Sequence, residues 1–299
     1  MSRVANSNPS MRTGAGGGNP LASSEKQFLQ QVARQRVTTY DGHTWEYFDC
    51  GKQSAAARAR SASHDRDGDG TPPPLVCVPG TSGSARCFHL QMLALAEKGC
   101  RVIAVQHPTV WTHDEWIHSF DRFLNAIHVQ EVHIYGVSLG AYLAQVQIST
   151  CACSWLLRHH TLWRQLTVVH QNFYLKKYVL ENFPSDSQRS PSRVHAIDYM
   201  VEQLDMLPQK EIASRLTLNC LTCSPTSWKL SLSDDKITLI DSHEETSLPS
   251  ELREQMLHRY PCAKRATIKN AGDFPFLSHP EDVTMHLQVH LRAHGVFLM

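Results

Sequence analysis

No apolar run in this 299-residue chain approaches the ~20 residues needed to cross a bilayer, and nothing near its start resembles the apolar core of a secretory leader. Net charge is also missing. The 29 Lys and Arg stand against 28 Asp and Glu, so no long-range field draws the chain to nucleic acid, and no basic patch is interleaved with aromatics. Metal-binding patterns are equally thin. Cys151 with Cys153, and Cys220 with Cys223, are single pairs, whereas a structural zinc takes four ligands. Asp65, Asp67 and Asp69 alternate without the spacing or the terminal Glu of a calcium loop. In the absence of a leader, the nine cysteines read as free thiols of a reducing compartment, which points to the cytoplasm. No metal, no cofactor and no nucleic-acid partner is expected.

What is present centres on Tyr135-Gly136-Val137-Ser138-Leu139-Gly140. A β-prone run from Val132 to Tyr135 enters this turn, and a helical pattern from Ala141 to Ile148 leaves it. A serine on so sharp a strand-to-helix turn leaves no room for neighbouring side chains. Glycines two before and two after it remove that crowding and hold Ser138 above the sheet. The Leu139 amide then sits at a helix N-terminus, where it can face a developing oxyanion. Upstream, Leu75-Val76-Cys77-Val78 is a buried strand that runs into Pro79-Gly80-Thr81. Residues 84–97 read as a helix, 100–105 as a strand and 114–126 as a helix. Strand, helix, strand, helix, strand, serine turn, helix predicts a mostly parallel sheet with helices on both faces. That is the α/β-hydrolase fold, in which the loop after the first of these strands gives the second oxyanion amide, here Thr81 or Ser82.

Around this core, residues 1–28 read as a disordered tail rich in Ser, Asn, Gly and Ala, and 29–299 as one domain. Val37 to Phe48 is a hairpin turning at Asp41-Gly42. Residues 51–70 are an exposed loop. Beyond the elbow helix, Leu166 to Val169 is the sole candidate for the next sheet strand, and about 173–220 reads as a helical lid. A strand over 236–241, a helix over 248–258, a strand over 266–268 and a helix over 281–294 complete the chain.

In this topology the partners of the serine follow in the order acid, then histidine. The acid belongs just past Ile240, where Glu244 and Glu245 are best placed. The histidine belongs beside a glycine after the last strand, but the residue after Gly272 is Asp273. An aspartate is too weak a base for the serine proton and lacks the two-nitrogen ring that orients a triad. The alternative is a weak serine esterase or hydrolase using Ser138 with His279 and Glu244 or Glu245, which requires the loop to fold back. His243 is a lesser substitute, and His107 lines the pocket without acting as base. His286, His290 and His294, spaced by four among 18 histidines, read as a solvated helix face.

Several stretches together resemble the maspardin family: Gly99-Cys100-Arg101-Val102-Ile103-Ala104, Gly136-Val137-Ser138-Leu139-Gly140, Leu175-Lys176-Lys177, Ala196-Ile197-Asp198-Tyr199-Met200-Val201, Ser214-Arg215-Leu216-Thr217-Leu218-Asn219-Cys220 and Gly272-Asp273-Phe274-Pro275-Phe276-Leu277. The resemblance covers residues 36–49, 75–148 and 175–294. It implies a non-catalytic interaction or adaptor protein that keeps the serine elbow and lacks the histidine. It also implies a cytoplasmic protein, peripherally associated with endosomal and trans-Golgi membranes, with a protein partner such as the cytoplasmic tail of a T-cell co-receptor. On that reading Ser138 marks a relic pocket, and Phe274 to Leu277 contribute to a binding face. Two features depart from the family: the insertion at 51–70, and a shortened region at 151–174.

Overall fold

The computed structural model describes residues 18–51, 72–147, 149–150, 176–177, 179–180, 190–220, 229–230, 232–244, 246 and 250–298. Its centre is a five-stranded sheet of β1 (Gln35–Thr38), β2 (Thr44–Cys50), β3 (Leu75–Val78), β4 (Val102–Gln106) and β5 (His133–Gly136), in the order β1-β2-β4-β3-β5. β2 runs antiparallel to both β1 and β4, and β3 lies parallel between β4 and β5, with Cys77 opposite both Ala104 and Tyr135. The uninterrupted Leu-Val-Cys-Val of β3 reflects burial on both faces, as a central parallel strand requires. Its side chains alternate accordingly. Leu75 and Cys77 join Phe48, Phe88, Val102, Ala104 and Phe276 on one face. Val76 and Val78 join Trp45, Ile103, Trp116, Phe120 and Phe123 on the other. There Trp45 stacks on Phe123, ring centroids 5.0 Å apart.

The helices fall where the apolar spacing put them. They are α2 (His89–Ala96, preceded by a 3-10 turn at Ala85–Phe88), α3 (His113–Ala126), and α4 (Leu139–Gln147), which follows the serine turn. The inserted helical region contains α5 (Pro191–Met206) and α6 (Gln209–Cys220). Short β6 (Ser149–Thr150) and β7 (Lys229–Leu230), an antiparallel pair with Ser149 opposite Leu230, were not foreseen. The C-terminal part comprises β8 (Thr238–Ser242), α7 (Ser250–Arg259), β9 (Lys264–Ile268), a short α8 (Pro275–Ser278) and α9 (Pro280–Ala293).

Two features correct or extend the sequence reading. Residues 20–28 are not part of a disordered tail, because Pro20–Gln31 forms a helix, α1. Asn19 caps it, its side chain accepting from the Leu21 amide, with Pro20 in the first turn, where no amide is lost. Phe28 anchors it in the core, fully buried and edge-on to Phe48 at 5.2 Å. The Ser- and Asn-rich composition of the flanking residues hid this helix. Second, β8 and β9 pair in parallel with each other but, among the described residues, with no other strand. A cavity of about 2330 Å³ lies between β5 and β8 and is lined by residues of both. The candidate strand at Leu166 to Val169 and nearly all of the loop at 51–70 lie outside the described residues.

Candidate functional site

The elbow has the geometry its sequence implies. Ser138 has φ 51°, in the left-handed region that side-chain-bearing residues seldom adopt. Both glycines are sterically required. A Cβ on Gly136 meets the Gly140 carbonyl oxygen at 2.4 Å, and a Cβ on Gly140 meets the Val78 oxygen at 2.1 Å. Ser138 is exposed and lines the large cavity. Gly80 packs beneath it, where an added Cβ falls 3.1 Å from the Ser138 Cβ.

The loop facing the serine is held by Arg215 and Asn219, to which the sequence assigned no role, and by His107. Arg215 of α6 is 1% exposed, and its Nη1 donates to the carbonyls of Thr81 at 3.0 Å and Gly80 at 3.4 Å, and also to that of Gly83. Its Nη2 reaches Glu211 one turn earlier at 3.4 Å. Asn219 Nδ2 donates to Thr81 Oγ1 at 2.6 Å. His107 completes the clamp from below. Trp116 Nε1 donates to its Nδ1 at 3.0 Å, and an indole only donates, so His107 Nε2 carries the proton and donates to the Pro79 carbonyl at 2.7 Å. Burial first, then the Arg215 charge, pushes the His107 pKa down to about 3, so the ring is neutral. His107 thus supports the loop as a structural residue. The sequence signal for Arg215 was a charged residue inside the apolar face set by Ile212 and Leu216.

The remaining triad candidates are engaged elsewhere. Glu244 joins the loops after β8 and β9. Its Oε1 accepts from the Asn270 amide at 2.7 Å and its Oε2 from the Ser242 hydroxyl at 2.9 Å, and that hydroxyl in turn accepts from the Gly272 amide at 3.0 Å. Partial burial raises its pKa, but these hydrogen bonds outweigh burial and hold the carboxyl below its usual value. Glu245 lies outside the described residues. His279 begins α9, its Nδ1 3.1 Å from Ser278 Oγ, whose own proton goes to the Ala271 carbonyl. It is absent from the wall of the cavity that holds Ser138, which Gly272 and Asp273 do line. His243 is exposed. Among the described residues no hydrogen bond reaches Ser138 Oγ, so the structure brings Ser138 and Asp273 to one cavity and leaves His279 outside it.

Two further expectations are revised. Phe274, Phe276 and Leu277 are 7%, 2% and 3% exposed, so they belong to the core and offer no binding face. Phe276 lies 5.4 Å from the ring of Phe88. His286, His290 and His294 are half-buried along the cavity wall, not a solvated face. Among the described residues no group of three His, Cys, Asp or Glu is placed to hold a metal, and the buried thiols of Cys50, Cys87 and Cys100 are pushed up to about 11, chiefly by burial.

Strand order, elbow and loop together define an α/β-hydrolase scaffold with its nucleophile turn intact. Residues 75–285 match the alpha/beta hydrolase family. Among solved structures, a bromoperoxidase from Bacillus anthracis aligns with 87% of this chain and all of its own, at TM-score 0.61 and 16% identity. A Pseudomonas aeruginosa hydrolase aligns with 87% and 98%, at TM-score 0.62 and 14% identity. Identities this low carry the fold and nothing of the activity. Maspardin from Homo sapiens is 34% identical over 85% of this chain and 82% of its own length, and that from Danio rerio 33% over 85% and 81%. The chain belongs to the maspardin family.

Proposed function

We propose that this chain is a protein-interaction or adaptor protein on an α/β-hydrolase scaffold. It works in the cytoplasm with peripheral attachment to endosomal and trans-Golgi membranes, and its partner is a receptor cytoplasmic tail. Maspardin kinship supports the interaction role. The observation that carries the non-catalytic half is Asp273 beside Gly272, in the cavity where a hydrolase needs an imidazole. A carboxylate there is too weak a base for the Ser138 proton, and its charge opposes an oxyanion on the Leu139 and Thr81 amides.

The test has two arms. A fluorophosphonate probe is expected to leave Ser138 unlabelled, with no burst from an activated ester. Labelling of Ser138 that disappears in His279→Gln overturns the reading. In the second arm, an immobilised co-receptor tail peptide is expected to bind wild type and Ser138→Ala equally. Absence of binding to that peptide removes the partner assignment while leaving the first arm standing.

A further inference from the structure

Three histidines from two elements meet at the wall of the cavity, away from the serine turn. His133 is the first residue of β5, His290 lies in the last turn of α9, and His294 caps that helix one turn further on. The ring centroids of His290 and His294 are 4.6 Å apart, those of His133 and His290 5.5 Å, and those of His133 and His294 6.3 Å. The Nδ1 of His290 and the Thr238 hydroxyl are 2.8 Å apart, which ties α9 to the first residue of β8. The cluster therefore joins the edge of the five-stranded sheet to the separate β8–β9 pair. These two sheets share no strand pairing among the described residues.

The electrostatic surroundings suit neutral rings only. Lys264 of β9 faces both His290 and His294, and Lys236, just before β8, faces His294. Asp235 is the acid that acts on the cluster, and it acts on His294. Within α9, His286 lines the same cavity one turn earlier and Arg292 is exposed, while Asp121 and Glu131 line the cavity from the β5 side. The Nε2 of His294 is buried with no hydrogen-bond partner among the described residues. A second proton in such a group places like charges within ring-contact distance, beside two lysines.

We propose that His133, His290 and His294 form an acid-sensitive latch, which holds the C-terminal half of α9 against β5 and β8 while the rings are neutral and releases it as they take up protons. Release widens the cavity that Ser138 lines. Burial first, then the neighbouring rings and Lys264, pushes His290 down to about 4; burial followed by His294 lowers His133, and burial followed by the two lysines lowers His294. With the closed-state values depressed, the open state takes up protons first. Opening is therefore favoured as pH falls from about 6.5 towards the depressed values.

Hydrogen–deuterium exchange of the full-length chain at about pH 7.5 and about pH 5.5, corrected for intrinsic rates, reads the latch. Peptides spanning 131–137, 236–242 and 284–296 are expected to lose protection on the order of tenfold at the lower pH, while those of β2 and β4 keep theirs. His290→Asn preserves a partner for Thr238 without a titrating ring. Combined with His294→Gln, it is expected to abolish the selective loss. A uniform loss over all peptides, or an unchanged pH response in the double variant, overturns the proposal. Should the double variant not fold, the ring-proton titrations of wild type decide. Histidine signals assigned to this cluster and titrating together, well below the ordinary value of about 6.5, support it; independent titration near that value overturns it.

Discussion

The guanidinium of Arg215 donates to the carbonyl oxygen of Thr81 at 3.0 Å, from a side chain only 1% exposed. A helix of the inserted region thereby fixes the loop that faces the serine turn. The loop's carbonyls, not its amides, point at the charge. Arg215→Met keeps most of the volume but leaves the carbonyls of Gly80, Thr81 and Gly83 without this donor. Stability is expected to fall by about 2–4 kcal/mol, read as a lower urea midpoint with unchanged slope. A variant as stable as wild type rules out the clamp.

Ser138 holds a left-handed φ of 51° that its Cβ disfavours. Ser138→Gly is therefore expected to be more stable than Ser138→Ala by about 0.5–1 kcal/mol, whichever way the hydroxyl itself counts. Gly140→Ala goes the other way. Its Cβ falls 2.1 Å from the Val78 oxygen, in rigid backbone, and the loss is expected to exceed about 2 kcal/mol. Thermal unfolding of the three variants side by side separates these outcomes. Equal melting of the Gly and Ala variants contradicts the strained elbow.

The elbow was legible because its constraint is local: two glycines around one serine, between a period-two run and a period-3.6 run. The β3 strand was legible for the same reason. The supports of the site were not. Arg215 and Thr81 are brought together by a helix far along the chain, and His107 gains its meaning only when Trp116 offers an indole to its ring. The three-histidine cluster was half visible as a spacing of four on α9, yet His133, which turns the row into a cluster, lies on a strand remote in sequence. Phe274 to Leu277 misled in the other direction, because their binding face was implied by the family resemblance alone, and α8 folds the apolar side chains inward.

His107 is neutral because burial and Arg215 push its pKa down to about 3. With the folded value below the ordinary one, the unfolded chain takes up the proton first. The contribution of the ring is thus fully present above about pH 6.5 and declines as pH falls toward about 3, by at most about 1.4 kcal/mol per pH unit. His107→Gln can still donate to the Pro79 carbonyl but does not titrate in this range. The difference in unfolding free energy between wild type and His107→Gln is expected to shift in favour of the variant as pH falls below about 6.5. A difference that stays flat between about pH 7 and pH 4 shows that His107 charges in the folded state.

Helix α1 ties the inserted helices to the body. Asn19 Nδ2 donates to the His195 carbonyl of α5 at 2.9 Å, and Gln203 Nε2 of the same helix donates to Glu25 at 3.2 Å. Ser84 Oγ in turn donates to Gln203 Oε1 at 2.6 Å, close behind the Thr81–Gly83 loop. Phe28 supplies most of the apolar anchorage, fully buried between Phe48 and His89. Phe28→Ala is expected to cost about 3–5 kcal/mol through lost burial and the cavity it leaves. Glu25→Gln, which removes charge but keeps the shape, is expected to weaken the pairing with Arg86 and cost about 1 kcal/mol or less. Proteolysis under native conditions distinguishes a strap from an ornament. If α1 holds α5 in place, Phe28→Ala speeds cleavage within residues 190–220 as well as within α1, whereas faster cleavage confined to α1 shows that the inserted helices stand without it.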